Sequence, residues 1–311
     1  MNKTEQILTS EKMAGGLGHP SRCDCYAELP AQVVADQIIR VFPRKTKATP
    51  QDSHVYFDSP TLFSEADEVH VSVTFTYDLP KAEKLAEQWG VVAPVRMGGP
   101  AIGERSGEFV PGMYLKPGYV ITSRGCPNAC WFCSVWRREG REVRELEVKD
   151  GWNLLDDNIL ACSESHIRNV FSMLKRQSEP IEFTGGLEAA RLEGWHVDLL
   201  LDLKLKQMFF AYDTPDDLEP LRRVAKMLID AGIIRKTSHC ARCYVLVGHP
   251  KDDFESAEKR LKTVAQLGMM PMAMLWKNGM GESTREWRNF QREWASPTIV
   301  STKMRGLAIS V

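Results

Sequence analysis

Three cysteines, Cys126, Cys130 and Cys133, stand within the stretch Arg124-Gly125-Cys126-Pro127-Asn128-Ala129-Cys130-Trp131-Phe132-Cys133. Thiolates are soft ligands, and at this spacing they select an iron–sulfur cluster or zinc. A closed structural zinc site takes four ligands, and no fourth Cys or His is close in sequence. Three thiolates on a cubane leave one iron open to an exogenous ligand, an arrangement for catalysis rather than for electron carriage alone. The competing reading is a zinc loop or three structural cysteines.

The chain has eight cysteines in all. Cys23-Asp24-Cys25 and Cys240-Ala241-Arg242-Cys243 offer four more thiols, enough for a zinc site or an auxiliary cluster, with His19 or His239 as substitute ligands. Cys243, however, alternates with Val245 and Val247 on one face of an expected strand, where a thiol behaves as a small hydrophobe. Cys162 closes another expected strand and takes the same reading. The expectation is a single cluster.

These residues must be positioned by a scaffold that the rest of the sequence outlines. With 311 residues, 43% hydrophobic and 26% charged, the chain has the composition of a soluble globular protein with a sizeable core. A formal net charge of −1 provides no global field to draw nucleic acid or an anionic membrane. Local basic runs, Arg44 to Lys47 and Arg137 to Arg144, read as solvated faces. Met1 to Ser10 is not followed by an apolar segment of the secretory kind, and no apolar run spans a bilayer. A cytoplasmic location follows as the expectation, and with it reduced thiols rather than disulfides.

Residues 1–30, rich in Gly, Ser and Pro, read as irregular. Gln32 to Phe42 reads as a helix running into a strand or loop. Glu68 to Tyr77 alternates as a strand, Leu79 to Trp89 reads as a helix with Pro80 in its first turn, and Ala93 to Met97 as a short strand. This is an α/β N-terminal domain, an incomplete Rossmann-like layer over residues 1–117, with Ala101 to Gly118 as its linker. From Tyr119 the pattern becomes strand, loop, helix, repeated. Strands are expected at Tyr119–Thr122, Asn158–Ala161, Ile181–Phe183, Met208–Ala211, Cys243–Val247 and Pro271–Leu275. Helices are expected at Glu164–Lys175, Asp217–Ala231 and Phe254–Leu267. Six such units make an α/β fold with a partial (β/α)6 barrel over residues 118–284, functional loops lying at the strand C-termini. Residues 285–311, with Trp287, Phe290 and Trp294 at helical spacing, read as a C-terminal capping helix and tail whose aromatics belong to the core.

The spacing Cys-x3-Cys-x2-Cys, the aromatic Phe132 before the last cysteine and the strand before the loop together resemble the radical S-adenosylmethionine (SAM) superfamily. The resemblance covers roughly residues 118–277, and within the superfamily it is closest to the group of methylthiotransferases and cobalamin-dependent enzymes. It implies a [4Fe–4S] cluster on the three cysteines, SAM on the open iron and a one-electron donor of the flavodoxin or ferredoxin type. It also implies reductive cleavage of SAM to a 5′-deoxyadenosyl radical that takes hydrogen from a substrate. By the same resemblance, Phe132, Asp156, Asp157, Asn158, Gly185, Gly186, Glu188, Arg191, Asp213 and Gly248 fall where SAM contacts are expected. Asp156-Asp157-Asn158 would accept from the SAM ammonium or ribose, the alternative being a turn with an Asx cap. Gly185 and Gly186 would let backbone approach a ligand or shape a turn. Glu188 and Arg191 would face the methionine zwitterion or pair on the surface. Tyr212 and His249 are the candidate catalytic side chains, with a solvated loop as the other reading of His249.

The chain departs from the group at two places. The Asp-x-His-x-x-Gly segment that supplies a lower cobalt ligand is absent, so tight cobalamin binding is not expected. A second three-cysteine cluster of the methylthiotransferase kind is absent from the N-terminal part, which weighs against sulfur insertion. A cobalamin-assisted methyltransferase and a non-catalytic iron–sulfur or zinc protein are the alternatives. No RNA-binding appendage is recognisable, and the substrate class is left open.

Overall fold

The computed structural model describes residues 37–235 and 239–304. Two parallel sheets organise them, both within one compact unit.

The first sheet holds β1 (Ile38–Val41), β2 (Val55–Tyr56), β3 (Glu68–Ser72) and β4 (Val95–Gly98), in the order β2-β1-β3-β4, all parallel. Helix α1 (Leu79–Trp89) covers it. Pro80 sits in its first turn, where a missing N–H costs nothing, and Ala82, Leu85 and Trp89 recur at the spacing that puts them on one buried face. Burying Leu85 and Trp89 against Val69, Val71 and Ile39 contributes roughly 1.5–3 kcal/mol per large side chain. Trp89 also satisfies its indole N–H on the Asp58 carbonyl at 2.9 Å.

The expected strand to Tyr77 stops at Ser72, and Thr76–Asp78 form a 3-10 turn. Asp78 there receives both forks of the Arg44 guanidinium, at 2.7 and 2.8 Å, so the chain must turn back toward the end of β1. Of Gln32 to Phe42, the described part holds the strand Ile38–Val41, the extended half of the expectation, and residues 32–36, where the helix was expected to begin, lie outside the described residues. Residues 101–118 carry no helix or strand, yet they are tied down. Arg40 donates to the carbonyls of Gly112 and Met113, the Lys116 amide donates to Ala48, and Tyr114 shares a hydrogen bond with His70.

The second sheet has six parallel strands. They are β5 (Tyr119–Val120), β8 (Asn153–Leu154), β9 (Ile181–Phe183), β10 (Leu205–Ala211), β11 (Ala241–Val247) and β12 (Met270–Leu275), in the order β12-β11-β10-β9-β8-β5. Between β5 and β8 lie the antiparallel pair β6 (Ser123–Arg124) and β7 (Arg144–Glu145) and the short helix α2 (Val135–Arg138). Crossovers contain α3 (Glu164–Lys175), α4 (Gly194–Leu201), α5 (Leu218–Asp230) and α6 (Phe254–Gln266). Strand β11 ends in a continuous buried apolar run, Val245-Leu246-Val247, so both of its faces are out of solvent there. Helix starts are set by side chains. Ser163 caps α3 by accepting the His166 amide, and Asp253 caps α6 by accepting the Ser256 amide.

The expected strand Asn158–Ala161 is a 3-10 turn at Ile159–Ala161, and the strand lies earlier, at Asn153–Leu154. Ile159 and Leu160 are apolar because they seat in the core, and a short apolar run does not reveal which backbone carries it. At the C-terminal end the expected helix divides into α7 (Arg285–Ala295) and α8 (Pro297–Met304), the break falling at Ser296 before Pro297. Trp287 packs tilted against Phe254, with ring centres 4.2 Å apart, and closes over Gly248, where a Cβ would meet its ring at 3.0 Å. Trp294 is 1% exposed. Trp294 is core, as expected, while Trp287 and Phe290 are half-buried against it.

Candidate functional site

The cysteine loop leaves the carboxyl end of β5 and returns through α2 and β7. Its shape is held by donors aimed at its carbonyls. Trp136 Nε1 donates to Cys130 O at 3.0 Å, the Arg137 guanidinium to Cys133 O and Trp131 O, and Arg141 Nε to Pro127 O at 3.1 Å. The Cys126 amide bonds Gly140 O at 3.3 Å. Gly125, at φ +95°, lets the loop enter; a Cβ there would stand 2.4 Å from the Glu142 carbonyl oxygen.

Beneath the loop is a buried ionic knot that the sequence did not single out. The side chain of Glu139 is fully buried and accepts from Arg138, Arg144, the Ser106 amide and the Ser106 hydroxyl. These partners hold its carboxyl below the usual range against the burial that would raise it. It ties residues 101–118 to the cysteine loop. A glutamate inside an arginine run was its only signal.

The run Asp156-Asp157-Asn158 follows β8 and divides its labour. Asp156 is 2% exposed; its Oδ1 accepts the Thr122 amide at 2.6 Å, and its Oδ2 accepts the Thr122 and Ser123 hydroxyls, each at 2.7 Å. Burial pushes its carboxyl up, and these bonds oppose the shift. Both oxygens are thus engaged on the protein, so Asp156 braces the segment leading into the cysteine loop rather than standing open to a ligand. Asp157 accepts the Gly125 amide at 2.9 Å and pairs with Arg124 at 3.5 Å. Asn158 reaches further: its Nδ2 donates to Cys126 Sγ at 3.4 Å and to Glu188 Oε2 at 2.6 Å. Arg191 Nε meets the same oxygen of Glu188 at 2.8 Å. The Asn158 Oδ1 is buried with no hydrogen-bond partner.

Gly185 makes a different close approach from the expected one. A Cβ there would lie 2.2 Å from the Asp156 carbonyl oxygen, so this glycine serves the packing of the β9 loop against the β8 loop. Gly186 turns at φ +92°. Asp213, after β10, accepts the Leu246 amide at 2.8 Å, and burial together with nearby Asp217 raises its carboxyl to about 6. The negative charges of Asp213 and Asp217 also raise the Cys130 thiol, adding to burial and to the other two thiols. Burial likewise raises Cys133. Gly248 is held by Asp252, which is itself paired with Arg260. His249 lies edge-on to Trp131, with ring centres 5.6 Å apart, and Trp131 is edge-on to Phe132 at 5.4 Å. Tyr212 is 7% exposed and its ring belongs to the apolar core, which separates it from His249 as a candidate.

Among the described residues, no group of three or more His, Cys, Asp or Glu side chains is gathered closely enough to hold one metal ion. A shared zinc would draw thiolates to roughly 3.8 Å of one another, given its ~2.3 Å bonds. A cubane binds each thiolate at a different iron and spaces them more widely. Three soft thiolates in one loop have the donor chemistry that an iron–sulfur cluster takes, and the Asn158 Oδ1, beside Cys126, is a buried acceptor that a donor such as an ammonium would satisfy. Of the other thiols, Cys243 is wholly buried in the core, Cys240 donates to the Ile233 carbonyl at 3.3 Å, and Cys162 is pushed up to about 12 by burial. Cys23, Cys25 and His19 lie outside the described residues.

No family model matches the chain. Over 140 residues it is 26% identical to cytidylyl-2-hydroxyethylphosphonate methyltransferase from Streptomyces wedmorensis, covering 40% of this chain and 25% of that protein. The chain therefore spans about a quarter of the length of the curated relative it matches. Among the described residues, no helix is long and apolar enough to cross a membrane.

Proposed function

We propose that the chain is a radical SAM enzyme whose [4Fe–4S] cluster is held by Cys126, Cys130 and Cys133. The observation that carries this reading is the Asn158 carboxamide, which bridges Cys126 Sγ and Glu188 while presenting a buried, unpartnered acceptor. When bound, the cluster supplies one electron to SAM, giving methionine and a 5′-deoxyadenosyl radical that takes hydrogen from the substrate. This chain's residues do the rest. Asp156 and Asp157 fix the two ends of the segment entering the loop, and Trp136, Arg137 and Arg141 fix its carbonyls. Asn158 Oδ1 and Glu188 accept from the methionine ammonium, and Arg191 balances the methionine carboxylate. Trp131, Phe132 and His249 wall the loop and restrict water.

The six-stranded sheet supports a partial barrel. Its strands run in sequence order without reversal, so crossovers of one hand place the helices on one face and leave the other face to curve inward. A one-electron reductant is the partner this reaction requires. A methyl-transferring outcome is the second reading, favoured by the name of the matched relative.

Anaerobically reconstituted, dithionite-reduced protein is incubated with SAM and the products are separated. Release of 5′-deoxyadenosine supports the reading. S-adenosylhomocysteine as the main product would move the assignment to methyl transfer, and recovery of intact SAM would end it.

A further inference from the structure

Successive side chains of a strand point to opposite faces of its sheet. In β11, Ala241, Cys243, Val245 and Val247 belong to the core beneath the helices, so Arg242 and Tyr244 stand on the face turned away from them. In β10, Met208 and Phe210 are core as well, and Phe209 between them stands on that same face. The register makes Phe209 the direct partner of Arg242. The rings of Phe209 and Tyr244 stack with centres 4.8 Å apart. The Arg242 guanidinium lies over Phe209, 5.9 Å from the ring centre, and its Nη1 reaches Met272 Sδ of β12 at 3.9 Å.

This arginine has no counter-charge. Among the described residues no carboxylate pairs with it, and its Nε is buried without a hydrogen-bond partner. The acids around it are committed elsewhere. Glu182, on the same face of β9, is held by Lys206 at 2.8 Å, Glu188 by Asn158 and Arg191, and Asp213 by the Leu246 amide. A cation partly withdrawn from water with no anion beside it is costly, and packing against Phe209 and Tyr244 could be met by an uncharged side chain of the same length. The charge is therefore kept for a ligand. An aromatic face and a thioether hold the guanidinium plane, so its N–H groups are set to meet two oxygens of one group. Tyr244 adds a hydroxyl on the same face that no described residue engages, and burial pushes its phenol up, which keeps it a donor.

The position separates this cation from the methionine end of SAM. The Leu187 amide donates to the Phe209 carbonyl at 2.8 Å, so the loop carrying Glu188 joins β10 at the level of Arg242. Arg242 nevertheless precedes Gly248 by six residues, about 20 Å back along the strand from the β11 loop. We propose that Arg242 anchors an oxyanion of the substrate, a carboxylate or a phosphoryl group, and so selects anionic substrates over neutral ones. As a statement about the substrate this rests on the radical SAM reading; oxyanion binding at Arg242 does not.

The test uses the full chain without cluster, and calorimetry with benzoate, phenylphosphonate and the neutral isostere benzamide. At least one of the two anions should bind saturably and about tenfold more tightly than benzamide; the tighter one identifies carboxylate or phosphoryl as the group read. In Arg242→Met the preference over benzamide should vanish while the melting midpoint does not fall, because an unpaired charge has been removed. Arg242→Lys, which keeps the charge and loses the fork, should lie between. Equal binding of all three probes would overturn the proposal, as would an anion preference that survives in Arg242→Met. Should Arg242→Met not fold, Arg242→Lys decides, and unchanged affinity for both anions there would overturn it too. A tenfold loss of SAM affinity in the reconstituted Arg242 variants would assign the arginine to the SAM carboxylate and overturn it as well. Failure of SAM cleavage leaves the anion result intact, since binding is read without cluster or turnover.

Discussion

Asp156 holds Thr122 twice, by its backbone amide at 2.6 Å and its hydroxyl at 2.7 Å, from the adjoining strand's loop. Through this pair the loop after β8 fixes where the chain departs toward the three cysteines. Asp156→Ala would leave the amide and two hydroxyls buried without an acceptor. A loss of about 3 kcal/mol in stability is expected, at roughly 1–3 kcal/mol for each group stranded. Urea denaturation measures it, and a loss under about 0.5 kcal/mol would mean that the brace is redundant.

The thiols divide into two classes. Cys126→Ala, Cys130→Ala and Cys133→Ala should each abolish the broad visible absorbance of reconstituted protein. Cys162→Ala and Cys240→Ala/Cys243→Ala should retain about four irons per chain and no zinc. Iron or zinc above that level which disappears in the double variant would establish a second metal site.

Asp213 makes stability depend on pH with a defined sign. Its carboxyl lies at about 6 in the folded chain against 3.8 as its ordinary value, so the folded state binds the extra proton between those limits. Stability is therefore greatest at the acid end of this window and declines as pH rises through about 6, by about 3 kcal/mol for a shift of this size. Asp213→Asn keeps an acceptor for the Leu246 amide and removes the charge. Metal-free Asp213→Asn should lose most of that slope in denaturation series across the window and be the more stable protein above it. An unchanged slope would locate the titration elsewhere.

The first sheet bears on cobalamin. After β1 the chain reads Phe42-Pro43-Arg44-Lys45-Thr46-Lys47, a stretch without a histidine that could ligate cobalt. Protein produced with cobalamin uptake should carry far less than stoichiometric cobalt by elemental analysis. One cobalt per chain would reverse that expectation.

Much of the scaffold was legible because periodic burial wrote it into the sequence. Helices Leu79–Trp89 and Glu164–Lys175 fall where their apolar spacing places them, and β9 to β12 where runs such as Val245-Leu246-Val247 do. The two-residue strand Asn153–Leu154 was not legible, since a strand that short has no period to read. The cysteine stretch announced itself by residue type and spacing. What could not be read was which polar groups already have partners. Asp156, Asp157 and Asn158 look alike in sequence, but their tasks depend on contacts thirty or more residues away, with Thr122, Gly125, Cys126 and Glu188.

That last distinction can be tested on Asn158. Its Oδ1 is buried without a partner, a state that costs roughly 1–3 kcal/mol and is relieved only when a donor arrives. Its Nδ2 meets a carboxylate, Glu188, that Arg191 also serves. Truncation to alanine therefore removes two bonds, to Glu188 and to Cys126, and one unmet acceptor, and the opposing effects on the SAM-free protein offset each other to within about 1 kcal/mol. With SAM the balance changes, because the ammonium loses its acceptor and nothing compensates. Asn158→Ala should keep its iron content and its urea midpoint while its SAM dissociation constant rises about tenfold, as read by equilibrium dialysis. A purely structural asparagine would show the opposite pattern, with a lowered midpoint and unaltered SAM affinity. That result would remove Asn158 from the ligand site and leave it as a tether between the Cys126 loop and Glu188.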